Sequence, residues 1–378
     1  MALLSCSEER GGPGPQVESI PVSFGTAIEG GVGDSANGEN TRATPITTAT
    51  LGTSQQFRVY SFRLPSPDGG TTPGTPANAM GDYLMNQYSS SNYANAYWTG
   101  STYYYNGSIT SWPSPVNDCL MFYAVYPYSL PTGGVVTMPY GSVSNPKMQI
   151  TYEMPLAPSE QVDLMYAGTN ALYRTVVPLG FRHALTRVTF KAKLISPSTD
   201  GGKVWVARLQ LKGVRSKGTI TVDRNQQGTW VLSSGQYDTR NIDLSMNTGD
   251  CGLPINNAGY YPQWAGNGRL NGTSAYQLKD DAFTSIMPTN GDLMVLPQAV
   301  DDMMLDIDLL VAKPNGTVVT EKNYLMLPPE YPWTQGRHVE YSLFIARDVI
   351  YIGVYITIWK VKDDSENPYT AGDITLES

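Results

Sequence analysis

Ile350, Ile352, Val354, Ile356 and Ile358 occupy every second position near the end of this chain, with Tyr351, Tyr355 and Thr357 between them. A period of two sends successive side chains to opposite faces of an extended strand. The alternation recurs at Val188, Phe190, Ala192 and Leu194 against Thr189, Lys191 and Lys193. It recurs again at Phe57, Val59 and Ser61, against Arg58, Tyr60 and Phe62, and at Leu120, Phe122, Ala124 and Tyr126. No segment longer than a turn or two carries a helical period. The 37 Gly and 27 Pro punctuate short runs, and the 25 Tyr suit a half-buried pleated surface. Many short strands parted by Gly and Pro turns predict an all-β chain of β-sandwiches. The 378 residues suggest two domains. We expect a leader remnant and tether over 1–16, an N-terminal sandwich over 17–175 and a C-terminal sandwich over 176–378. Further strands are expected at 150–154, 164–168, 204–211, 218–223, 229–232, 293–298, 303–312, 317–327 and 340–346.

Charge and residue types narrow the function. The net charge is −8, so nucleic acid is not an expected partner, because binding it needs a basic face to neutralise phosphates. Two His and three Cys leave little for a nitrogen and sulfur metal site. No phosphate-binding glycine loop, HExxH or CxxC is present. Asp301-Asp302 and Asp363-Asp364 fall at expected turns, where solvated charge explains them better than weak calcium binding. His183 precedes a strand and reads as a packing or hydrogen-bonding residue rather than a base. His338, between Arg337 and Glu340, is expected to be exposed. Two carboxylates would suffice for glycoside hydrolysis, but nothing in the pattern fixes such a pair. We therefore expect no enzyme, no cofactor and no metal. The most apolar run, Val349 to Val361, is 13 residues, too short for a membrane helix.

The first residues read as an address. Leu3-Leu4-Ser5-Cys6 resembles a bacterial lipoprotein cleavage site, although the preceding chain is shorter than a full signal peptide. Cys6 would carry the acyl chains, and two or more chains anchor a protein stably. Ser7-Glu8-Glu9 is similar to the acidic tag of surface-exported Bacteroidetes lipoproteins. Cys119 and Cys251 are read as free thiols. A first strand is expected over 17–26, with Ile20, Val22 and Phe24 on one face. Pro21 on the other face restricts it to an edge or to one-sided pairing. The loop 27–44 follows, with Gly30, Gly31, Gly33 and Gly38, and is expected to be open to proteases. Between Pro65 and Pro115 the chain is rich in Tyr and Trp spaced by Ser, Asn and Gly. Tyr97, Trp98, Tyr103 and Tyr105 of that region are candidates for an adhesive surface, with core and interface packing as the other reading.

Several segments together resemble the fimbrillin family of Bacteroidales, the subunits of type V pili, in its Mfa-like branch. They are the lipoprotein start, Ile20-Pro21-Val22-Ser23-Phe24, Asn40-Thr41-Arg42-Ala43, Tyr97-Trp98 and Trp112-Pro113. Further on come the segments 120–127, 163–167, 179–190, 293–298 and 333–338. The resemblance implies two transthyretin-like β-sandwich domains and a surface lipoprotein precursor at the outer membrane. It further implies a cut after an Arg by a trypsin-like protease, and polymerisation by donor-strand exchange with other copies or related pilin subunits. A host or bacterial surface ligand would be the adhesion target. The polar, Pro-containing tail from Val361 to Ser378 fits a swinging tail strand poorly.

The residues select which arginine. Cutting after Arg10 would leave the first strand in place. Arg58 and Arg63 lie in an expected strand, where hydrogen bonding shields the backbone. Arg42 follows the glycine-bearing loop and precedes Ala43-Thr44-Pro45, so the bond between Arg42 and Ala43 is the expected site. Its loss would uncover what Ile20, Val22 and Phe24 had covered, about 5–9 kcal/mol of gross burial at roughly 1.5–3 kcal/mol per large apolar side chain. The rival reading is a monomeric surface lipoprotein that binds glycans through the aromatic region.

Overall fold

The computed structural model describes residues 22–28, 51–64, 94–99, 103–105, 111–112, 119–140, 147–170, 172–195, 203–223, 227–234, 239–243, 278, 282–287, 292–312, 318–346 and 350–358. These form twenty strands, one turn of 3₁₀ helix at Pro158–Glu160 and, among the described residues, no α-helix. The first nine strands are β1 (Phe24–Ile28), β2 (Phe57–Leu64), β3 (Ala94–Trp98), β4 (Tyr103–Tyr105), β5 (Cys119–Tyr126), β6 (Val135–Tyr140), β7 (Lys147–Glu153), β8 (Met165–Gly168) and β9 (Val177–His183). There follow β10 (Thr186–Leu194), β11 (Lys203–Arg215), β12 (Lys217–Val222), β13 (Thr229–Leu232), β14 (Thr239–Asp243) and β15 (Thr284–Ser285). The last are β16 (Leu293–Val295), β17 (Met304–Ala312), β18 (Val318–Met326), β19 (Arg337–Ile345) and β20 (Ile350–Ile358). The all-β expectation holds.

Seven strands close on themselves in the order β1-β4-β3-β2-β5-β8-β9. A second sheet runs β13-β12-β7-β6. The other two are β15-β10-β19-β20, with β16 also on β10, and β14-β11-β17-β18. The last two contribute to one core, where Phe190 stacks on its cross-strand neighbour Tyr341 at 5.1 Å. β5 is buried along its whole length. Its Leu120, Phe122, Ala124 and Tyr126 point into the closed sheet. Cys119, Met121, Tyr123 and Val125 point into the larger core, which continues under β7 and β12 into the C-terminal sheets. This is why the strand reads Cys-Leu-Met-Phe-Tyr-Ala-Val-Tyr with no polar alternate: neither face meets water. Cys119 is buried.

Residues 175 and 176, where the two sandwiches were expected to part, are spanned by backbone pairing. β9, after that line, completes the closed sheet, and β12 pairs with β7 over six positions from Lys217↔Glu153 to Val222↔Met148. Side chains add to the join. Gln161 Oε1 accepts from Met294 N at 2.7 Å. Tyr166 Oη accepts from Gly228 N and from Gln335 Nε2, each at 2.6 Å.

Several segments that carried the resemblance are pinned by hydrogen bonds, of which Asp163 with His183 spans the join and the others lie within the second half. Asp163 and His183 are buried together, Oδ1 to Nδ1 2.8 Å, which is the hydrogen-bonding role expected for His183. Gln298 and Trp333 exchange backbone hydrogen bonds at 2.9 Å each, while Trp333 Nε1 donates to Tyr341 Oη at 3.0 Å. Gly336 sits at φ +69°, a turn that L side chains adopt only with strain, and its N–H donates to Leu185 O at 2.9 Å. Asp301 and Asp302 are exposed in a turn. Asp363 and Asp364 lie outside the described residues.

His338 differs from expectation. It is half-buried, because β10 and β20 flank it on the sheet, and its Nε2 lies 2.8 Å from Thr189 Oγ1. Burial, with Arg187 and Lys191 nearby, pushes its pKa down to about 3. An unfolded chain takes up this proton near 6.5 and the native chain does not until about 3. Stability is therefore lost as pH falls from 6.5 toward 3. Urea melts at several pH values should show a shallower acid limb for His338→Gln than for wild type; parallel limbs would contradict this.

Candidate assembly site

The first described strand is held almost entirely from one side. β1 runs parallel to β9 over five positions, from Phe24↔Val177 to Ile28↔Phe181. Val177 N also donates to Ser23 O at 2.8 Å. Toward β4 it makes, among the described residues, one antiparallel pair, Phe24↔Tyr103. β9 in turn meets β8 only at His183 and Arg182. The stretch Val177–Phe181 thus takes its ladder hydrogen bonds from β1.

The side chains of this short strand fill the closed sheet. Val22, Phe24 and Ile28 are buried, while Gly25 and Ala27 are exposed. Phe24 meets Phe57 and Phe122 edge-on, at 6.1 and 5.6 Å. Phe57 also touches Phe181 and Tyr103, each at 5.3 Å, and Trp112 stands edge-on to Phe122 at 6.1 Å. Without β1, this cluster would open as an apolar groove between β9 and β4.

The strand runs past its expected end at residue 26: Ala27 and Ile28 continue the ladder because Gly180 and Phe181 of β9 offer them partners. Val22 and Phe24 are buried in the core of the closed sheet. Ile20, the lipidation residue Cys6 and the cleavage pair Arg42 and Ala43 lie outside the described residues, as does Cys251.

The aromatic candidates divide. Tyr103 is 1% exposed and cannot meet a ligand. Its hydroxyl donates to Gly52 O at 2.6 Å, with Leu51 O at 3.3 Å, and burial raises its pKa to about 12. The Ser, Asn and Gly around it suggested a surface. Its position opposite both Phe24 and Trp98 turns it inward. Trp98 is half-buried against Tyr103, ring centroids 5.3 Å apart, and Tyr97 is half-buried on the opposite face of β3. The side chain of Tyr105 is outside the described set. Sequence reasoning missed Ile28, Phe57, Phe122, Val177, Leu179 and Phe181 as groove residues. Their alternation was visible, but which strand they face was not.

These features define an all-β protein whose closed sheet is completed by one short, mostly one-sided strand. A fimbrillin-like family model matches residues 41–359, and the chain belongs to that family, which puts it among fimbrial proteins of the cell surface. No curated protein matches the chain. A fimbrial protein of Bacteroides vulgatus is 19% identical, with a TM-score of 0.56 over 80% of this chain and 93% of that one. A Bacteroides ovatus protein provisionally assigned to cell adhesion is 16% identical, with a TM-score of 0.49 over 92% of this chain and all, 100%, of the other. A fimbrial assembly protein of Parabacteroides distasonis is 8% identical, with a TM-score of 0.36 over 90% and 99% of the two chains. At 19% identity the likeness to the Bacteroides vulgatus protein is one of fold.

Phe24→Ala should cost about 3–5 kcal/mol, the usual range for emptying a buried Phe site. Tyr103→Phe should cost about 1 kcal/mol, one hydrogen bond. Because burial raises the pKa of Tyr103, its contribution is present below pH 10 and lost toward 12. Chemical denaturation at neutral and alkaline pH measures both. A Phe24→Ala loss no larger than that of Tyr103→Phe would contradict the packing role given to β1.

Proposed function

We propose that this chain is the precursor of a fimbrial subunit that polymerises by exchanging β1 for a strand of the next subunit. The observation that carries the reading is the mostly one-sided hold on β1 among the described residues: five pairs to β9, one to β4. A strand bonded on one side can leave without breaking two ladders. What it leaves is too apolar, and too rich in unpaired backbone groups, to stay empty. An incoming strand restores both terms, with main-chain hydrogen bonds supplying affinity and alternate side chains setting register. A head-to-tail contact of this kind does not close, so repetition yields a filament.

Maturation at Arg42 supplies the trigger. The family match begins at residue 41, so β1 falls before it, as expected of a segment belonging to the precursor. Cys6 is the lipid attachment point that would hold the precursor at the outer membrane until a trypsin-like protease frees it. The glycan-binding reading loses part of its support, since Tyr103 faces the core.

Two variants test the scheme. Arg42→Ala should keep the precursor N-terminus after trypsin treatment and should not form filaments under the electron microscope. A protein that matures at the same residue and polymerises at the wild-type rate would contradict Arg42 as the site. Cys6→Ala should lose membrane association on cell fractionation, and unchanged partitioning would contradict lipidation there.

A further inference from the structure

The sheet β13-β12-β7-β6 buries one face and leaves the other open. Inward go Met148, Ile150, Tyr152, Ile220 and Val222. The registers align the outward residues in two rows that cross all four strands. One row is Val135, Thr151, Thr219 and Val231; the other is Thr137, Gln149, Thr221 and Thr229. All eight are uncharged: five Thr, two Val and one Gln. Val135 and Val231 stand at opposite edges, 55% and 68% exposed. Beyond the rows lie two ion pairs: Lys217 with Glu153 at 3.6 Å at one end, and Lys147 with Asp223 at 3.2 Å at the other.

That arrangement is self-complementary. A two-fold axis parallel to the strands, between β7 and β12, would lay β7 of one copy on β12 of another. Glu153 then stands opposite the second copy's Lys217, and Lys147 opposite its Asp223. The same operation sets Thr151 over Thr219 and Val135 over Val231. A chain of net charge −8 repels itself over most approaches. On this face the charges cancel in pairs and then match across the dyad. Four strands at about 4.8 Å and seven residues at about 3.3 Å give a footprint of roughly 19 by 23 Å. Two such faces bury on the order of 1,000 Å², at the lower limit for a specific interface. Repeated along a filament, contacts this weak add by avidity.

We propose that the outer face of β6, β7, β12 and β13 is a lateral docking surface for a second copy of this chain, stacked sheet on sheet about a dyad. This contact requires neither proteolysis nor strand exchange. It is therefore measured on the unlipidated full chain carrying Arg42→Ala, so that failure of the polymerisation scheme leaves it unaffected.

Sedimentation velocity up to about 1 mM protein should show a reversible monomer–dimer equilibrium. Val231→Glu, at an exposed corner, should weaken dimerisation about tenfold or more with an unchanged melting temperature. Lys217→Glu should weaken it similarly, and Glu153→Lys with Lys217→Glu together should restore it, since the swap preserves complementarity across the dyad. A chain that stays monomeric throughout would overturn the proposal. So would a dimer indifferent to Val231→Glu, or a double swap no better than Lys217→Glu alone.

Discussion

Both cores of this protein depend on a single strand that never meets water. β5 sends Leu120, Phe122, Ala124 and Tyr126 into the closed sheet and Cys119, Met121, Tyr123 and Val125 into the larger core. A two-faced strand must have both faces covered, because its apolar surface has no solvent side to turn to. The closed sheet covers one face and the sheet of β6, β7, β12 and β13 roofs the other. Since β12 and β13 come from the second half of the chain, covering β5 ties the halves together. Tyr166 and Gln161 then satisfy polar groups along that join.

Within this frame β1 is the exception. Among the described residues, every other strand contact of the closed sheet spans at least two register pairs, whereas β1 meets β4 at one. Its contribution is side-chain burial more than ladder continuity. Phe24 holds Phe57 and Phe122 in place, so the strand is needed for the core yet weakly fixed in the sheet. That combination suits a segment to be replaced by another of the same pattern: the groove demands an occupant, and the ladder does not demand this one.

Much of this was legible in the sequence because period-two patterning is local. The alternating isoleucines give β20, the Val188–Leu194 pattern gives β10, and the unbroken apolar run at Leu120 marks β5. What was not legible depends on partners distant in the chain. β12 finds β7 some seventy residues away, which leaves no local trace. β1 extends to Ile28 because β9 is there to receive it, although Ala27 and Ile28 border a glycine-rich loop. Tyr103 sits in a polar stretch yet is buried, since the ladder places it against Trp98 and Phe24. His338 has charged neighbours in sequence, but its neighbours in space, on β10 and β20, bury it.

The central claim is that β1 is a replaceable strand. The direct measurement is uptake of a synthetic peptide spanning Val17–Ile28 by protein trimmed after Arg42, followed by hydrogen exchange at Val177–Phe181 of β9. The account predicts that trimming exposes these amides, that the peptide binds and restores their protection, and that a peptide with Phe24→Ala binds at least tenfold more weakly. Amides that remain protected after β1 has been removed, or a trimmed protein that ignores the peptide, would contradict it.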